Sequence, residues 1–231
     1  MITGGLNSGA ENDHLNRLWY GFNYATWNCF YTFLFSLRKQ GWENVPRSGP
    51  VMLVANHQSF LDPIAIGLAA YRKISFLTRK SLFNNAAIGT YLKSVGCCPI
   101  NIEGVAKEGI RSTLELLNQG KAVLIFPEGT RSEDGMLQEL KPGIQLLIKK
   151  SNAIIIPVGI AGAFEALKMG QKWPNFCPTF LSGNKGAIAI SIGKPLNAKL
   201  LANLPREESL AFIKDSISKE ITKANNLRRK K

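Results

Sequence analysis

Histidine is nearly absent from this chain, with His14 and His57 the only two in 231 residues. Cysteine is sparse as well. Cys29, Cys97, Cys98 and Cys177 form no C-x-x-C pair, and their spacing fits no zinc site. All four read as buried thiols of a reducing compartment, with the adjacent Cys97 and Cys98 on opposite faces of a strand. Acidic residues number 16 against 29 lysines and arginines, a formal net charge of +13. That balance suits an anionic partner: nucleic acid, a membrane surface or a phosphorylated substrate. No basic recognition helix or RNP-type motif is present, which argues against nucleic acid. The phosphate-cradling spacing G-x-x-x-x-G-K-[ST] is missing, and so is the G-x-S-x-G nucleophile elbow. There is no internal repeat and no low-complexity run.

One run stands out for lacking charge. Residues 18–37, "LWYGFNYATWNCFYTFLFSL", are rich in tryptophan, tyrosine and phenylalanine and are bracketed by Arg17 and Arg38-Lys39. A spanning helix needs about 20 apolar residues, so the length would serve. Asn23, Asn28 and scattered small polar residues make it less apolar than a typical span, and Trp and Tyr favour the membrane–water interface. A secretory leader lacks this aromatic load. The expectation is a membrane-associating helical segment over residues 1–40, lying in one leaflet, with Arg38 and Lys39 on the cytoplasmic side. A full span and a soluble core helix are the alternatives.

Beyond the Gly/Pro-rich linker "GWENVPRSGP" the pattern becomes regular. Strands are expected at 51–55, 74–78, 98–102, 121–126, 153–160 and 187–193, with helical stretches between them. Asp62-Pro63 reads as a helix start, with aspartate at the cap and proline at the first helical position. Gly120 closes an amphipathic helix. Leu210, Ile213, Ile217 and Ile221 form one face of a last helix. Alternation of strands and helices predicts an α/β domain over 41–225, a mixed, largely parallel sheet flanked by helices. The basic tail, 226–231, is read as mobile, either solvated or touching anionic lipid.

In open α/β sheets ligands bind beyond the carboxyl ends of strands. Two loops sit there. "VANHQSFLDP" (54–63) places His57 just after the first strand and Asp62 five residues on. On one continuous helix those side chains would point about 140° apart. A loop turning into a helix at Asp62 lets His57 fold back onto the carboxylate. Such a pair fixes the imidazole tautomer and makes it a base for a hydroxyl. A lone loop histidine is the plain alternative. "FPEGTRSEDG" (126–135) offers Gly129 for close backbone approach, the Thr130 hydroxyl and the Arg131 fork for phosphate, with Glu128 to accept from a hydroxyl or to hold Arg131. An ordinary loop with a surface ion pair would look the same.

Taken together, "NHQSFLD", "FPEGTRS" and "IIIPVGI" resemble, in order, blocks of the glycerolipid acyltransferases, the family of 1-acylglycerol-3-phosphate acyltransferases. The resemblance covers residues 40–195. It implies a membrane-bound enzyme on the cytoplasmic face. Acyl transfer would run from acyl-CoA or acyl carrier protein to a lysophospholipid hydroxyl, giving phosphatidic acid, with no cofactor and no metal. His57 would be the general base and Asp62 its orienter. Glu128, Gly129, Thr130, Arg131 and Lys80 would bind the glycerol phosphate, and Pro157 would hold a structural or acyl-site position. One departure matters: "GCCPINIEG" places Asn101 and Ile102 where the family carries an arginine thought to bind phosphate. Arg79, Lys80, Arg111 or Arg131 would then have to compensate, or the acceptor is another lysolipid. A catalytically silent membrane-binding protein of the same fold is the reading from a different class.

Overall fold

The computed structural model describes residues 8–100 and 105–229. Seven strands form one sheet: β1 (Arg38–Gln40), β2 (Val51–Ala55), β3 (Ile74–Arg79), β4 (Cys97–Ile100), β5 (Ala122–Ile125), β6 (Ile154–Ala161) and β7 (Ala189–Ile192). Their spatial order is β1-β7-β6-β2-β5-β3-β4. All neighbours run parallel except β6 and β7. The helices are α1 (Ser8–Phe35), α2 (Asp62–Ala70), α3 (Ala86–Ser94), α4 (Val105–Asn118), α5 (Gly143–Lys150), α6 (Ala163–Ala166), α7 (Ala198–Asn203) and α8 (Arg206–Leu227). This is the expected α/β architecture.

Strand alternation sorts the apolar residues into two cores. Leu53, Leu124, Ile156 and Val158 face α1 and α2, where Tyr31, Phe35, Ile66 and Ala69 complete the layer. Met52, Val54, Val123 and Ile155 face the opposite side, closed by Leu117, Ile144, Leu147, Ile213 and Ile217. Central strands buried on both faces explain the unbroken runs "VMLVA" and "IIIPVGIA". The expected last-helix face holds: Ile213 and Ile217 are fully buried, and Leu210 and Ile221 pack beside them. Helix α8 lies so close to β6 that a Cβ on Gly159 would stand 2.1 Å from the Glu220 carbonyl carbon.

The chain near residue 40 differs from expectation. Arg38–Gln40, charged and short, is an edge strand paired parallel to β7. The last turns of α1 put Tyr31 and Phe35 into the core. The segment 1–40 therefore does not end where the packed domain begins. Lys39 is not free for a headgroup: its ammonium donates to Asn28 Oδ1 (2.7 Å) and the Leu68 carbonyl (3.0 Å). No described helix is long and apolar enough to cross a membrane, which removes the full span over 18–37. Cys97 and Cys177 are buried, Cys98 is half-buried and Cys29 is exposed on α1, so the four thiols do not share one environment.

The basic tail is also more ordered than expected. Arg228 Nε donates to the Ala187 carbonyl at 2.7 Å, and one Arg229 nitrogen donates to the Ser36 hydroxyl and to the carbonyls of Pro178 and Thr179, each at 3.0 Å. These arginines satisfy loop carbonyls. Lys230 and Lys231 lie outside the described residues.

Candidate active site

The chain leaves β2 in one direction, through α2 to β3, and leaves β5 in the other, crossing β2 to reach β6. The carboxyl ends of the adjacent strands β2 and β5 thus flank a switch point, where such sheets open a crevice. Asn56 fixes the chain as it leaves β2. Its side-chain amide exchanges two hydrogen bonds with the Ile160 backbone of β6, at 2.9 and 3.0 Å. His57 follows, stacked on the Phe126 ring with centroids 3.8 Å apart and planes 11° from parallel.

His57 Nδ1 lies 2.8 Å from Asp62 Oδ2. The same oxygen accepts the backbone N–H groups of Gln58 (2.5 Å) and Ser59 (2.7 Å). Asp62 is the first residue of α2, with Leu61 at the cap position, so the helix starts one residue earlier than the sequence suggested. It does not cap its own helix. Helical side chains point toward the N-terminus, so a carboxylate in the first turn reaches back into the preceding loop. That direction brings residues five apart together. Tyr31 secures the same corner from α1 by donating to the Leu61 carbonyl at 3.1 Å.

Asp62 is fully buried. Burial pushes its carboxyl above the ordinary range, opposed by the hydrogen bond and charge of His57 and by the two loop N–H groups. His57 retains an 18% exposed side chain, and its Nε2 has no hydrogen-bond partner among the described residues. With Asp62 on Nδ1, Nε2 is the ring nitrogen left open to a further partner.

Glu128 behaves differently from the sequence reading. It is 2% exposed. Its Oε1 accepts the His57 backbone N–H and its Oε2 that of Gln138, both at 2.7 Å. It neither pairs with Arg131 nor offers a free oxygen to a substrate. Burial raises its carboxyl, and the two N–H groups oppose the rise. The loops are further joined by Ser132 N–H to the His57 carbonyl (2.8 Å) and Gln58 Nε2 to the Gly135 carbonyl (2.7 Å).

Gly129 and Thr130 are exposed, and Gly129 adopts φ +76°, a left-handed conformation suited to glycine. The Arg131 guanidinium lies 3.6 Å above the Phe60 ring. Its pKa is lowered by burial and by the charge of Arg79, and raised in turn by Asp62. Arg79 ends β3 and its charge is felt at Arg131, and neither guanidinium has a carboxylate partner among the described residues. Such a pair favours an anion with several oxygens. Lys80 follows, exposed at the start of a 3-10 turn. Arg111 is exposed on α4 and pairs there with Glu115. Pro157 is buried in β6, opposite Val54 and against Gly193, a structural position. Asn101 and Ile102 lie outside the described residues.

A profile of the family described as Acyltransferase matches residues 36–161, more than half of the chain. The chain belongs to that acyltransferase family. Among relatives of this acyltransferase, the 1-acyl-sn-glycerol-3-phosphate acyltransferase of Bacillus subtilis is 26% identical over 80% of this chain and 85% of its own. A chloroplastic 1-acyl-sn-glycerol-3-phosphate acyltransferase of Arabidopsis thaliana is 28% identical over 75% of this chain, which spans 48% of the plant protein. The crystal structure of the 1-acyl-sn-glycerophosphate acyltransferase PlsC from Thermotoga maritima superimposes with a TM-score of 0.76. It covers 93% of this chain and 83% of that one at 23% identity, a likeness of fold.

The sequence reading missed Asn56, Gln58, Phe60 and Phe126 as parts of the site. The one available signal was position, since each lies next to a motif residue just beyond a strand.

Proposed function

We propose that this acyltransferase moves an acyl group from a thioester, acyl-CoA or acyl carrier protein, to the free hydroxyl of a 1-acylglycerol-3-phosphate, giving phosphatidic acid. The observation that carries the reading is the His57–Asp62 pair beside Arg131 and Arg79. The names of the relatives support the acceptor. His57 Nε2 takes the proton of the acceptor hydroxyl as its oxygen attacks the thioester carbonyl carbon. The tetrahedral centre collapses, the C–S bond breaks, and the imidazolium returns the proton to the departing thiolate. Asp62 holds the tautomer and stabilises the imidazolium, and no acyl-enzyme forms. Arg131 and Arg79 hold the phosphate, with Gly129, Thr130 and Lys80 at its border. The acceptor is a lipid, and we place the reaction at the cytoplasmic face of a membrane.

A second acceptor is favoured by one sequence observation, Ile102 in the place of an arginine. Losing a charged hydrogen bond costs about 1.5–3 kcal/mol unless another cation replaces it. Arg79 is the replacement on the first reading. The test is transfer of labelled acyl groups to lysophosphatidic acid in membranes bearing wild type or His57→Ala. Phosphatidate that depends on His57 is the expected product. Product from other lysolipids alone would move the acceptor, and transfer by the alanine variant would remove His57 as the base.

A further inference from the structure

The chain 168–181, "KMGQKWPNFCPTFL", lies between α6 and β7 and plays no part in the chemistry above. Trp173 is 80% exposed and Phe180 75%, and Met169, Phe176 and Leu181 are exposed with them. Single exposed apolar side chains are normal, whereas contiguous ones mark an interaction surface. These are held outward. Cys177 N–H donates to the Leu34 carbonyl (2.7 Å) and Thr179 N–H to that of Phe33 (3.0 Å), while Ser36 Oγ donates to the Cys177 carbonyl (2.7 Å). Those bonds fasten the loop to the end of α1, where Phe33 and Phe30 are themselves exposed. The loop and the outer aromatic face of α1 therefore form one continuous apolar surface.

Its charge is one-sided. No aspartate or glutamate occurs between Glu165 and Glu207, and Lys168, Lys172 and Lys185 are exposed around the loop. Aromatic side chains that seat at a headgroup boundary, rimmed by lysine, match an anionic lipid leaflet in both layers. A protein partner would be served equally well by the aromatics, but the surface continues into the segment that the sequence marks as membrane-associating. A direct link also runs to the catalytic loop: Ser59 Oγ, three residues before Asp62, donates to the Leu167 carbonyl at the base of this loop (2.8 Å).

We infer that loop 168–181 is a second membrane contact, inserting Trp173 and Phe180 into an anionic leaflet beside α1 and setting the dyad at the height of a lipid headgroup. The inference rests on the lipid-acceptor reading given above. The experiment uses the full chain with vesicles of phosphatidylcholine and phosphatidylglycerol in equal parts. Changing Trp173→Ser together with Phe180→Ser is expected to weaken vesicle binding by about tenfold or more, the loss of two partly buried aromatics. Transfer to a short-chain acceptor below its aggregation concentration stays at the wild-type rate. Trp173 emission, taken as wild type minus Trp173→Phe, is expected to be quenched by brominated lipid. Unchanged vesicle binding, or unquenched Trp173 in vesicle-bound protein, overturns the inference. A concentration-dependent mass that the double variant abolishes assigns the surface to a second copy instead. Absence of transfer by wild type to every acceptor would defeat the lipid-acceptor reading, and the quenching measurement would still decide the loop.

Discussion

Changing Glu128→Gln separates two roles that the sequence leaves open. The carboxylate receives the N–H groups of His57 and Gln138, one on each oxygen, at 2.7 Å. Glutamine keeps the shape and one acceptor, but sets its NH2 group against whichever N–H remains. One charge-assisted hydrogen bond is lost and one buried donor is left unpaired, together about 2–4 kcal/mol. For a chain of this size that lowers Tm by roughly 5–15 °C. Loosening the His57 backbone also moves the base, and a displacement near 1 Å costs about a hundredfold in rate. The expected result is therefore a lower Tm and a fall in kcat, with KM for the acceptor little changed. Calorimetry and initial rates on one preparation would read both. A KM raised tenfold, with kcat and Tm unaltered, would show Glu128 touching substrate and refute the positioning argument.

Arg131→Lys loses the flat stacking on Phe60 and the two-pronged fork, so KM for a phosphate-bearing acceptor is expected to rise about tenfold while Tm holds. Equal KM values would remove Arg131 from the anion site. Asp62→Asn leaves the loop N–H groups an acceptor but weakens support of the imidazolium, and kcat is expected to fall by about 10²–10⁴. A rate within twofold of wild type would dissolve the dyad. Gly159→Ala forces a Cβ onto the backbone of α8 and is expected to destabilise by about 3 kcal/mol, read as a denaturant midpoint. An unmoved midpoint would contradict the close approach.

The parts of the fold that the sequence made legible are those governed by local pattern. Unbroken apolar runs marked the central strands, because a parallel sheet covered on both faces buries every side chain. Gly120, at φ +73°, marked the end of α4. Strand β1 was illegible because "RKQ" carries no apolar signal: an edge strand needs backbone pairing, and Lys39 finds its partners at Asn28 and Leu68, far from it in sequence. The Arg228 and Arg229 contacts were hidden for the same reason. A basic tail and a set of loop-capping arginines have the same composition.

The site shows the same division in finer form. Spacing allowed His57 and Asp62 to pair, since a loop entering a helix lets the imidazole fold back, but only the family resemblance set that reading above a lone loop histidine. Glu128 could not be assigned, since a carboxylate beside a glycine and an arginine serves substrate and backbone equally well in sequence. What decides is the partner loop. The loop after β2 cannot satisfy its own His57 N–H, and the loop after β5 supplies Glu128 to accept it. The loop after β5 in turn places Ser132 N–H on the His57 carbonyl. Each loop completes the other's backbone hydrogen bonds, so His57 is held in place from both sides. It follows that residues making no contact with a reactant control the imidazole. Substitutions in "FPEGTRS" should therefore divide by depth, with Glu128 acting on kcat and stability and the outward Arg131 acting on acceptor binding.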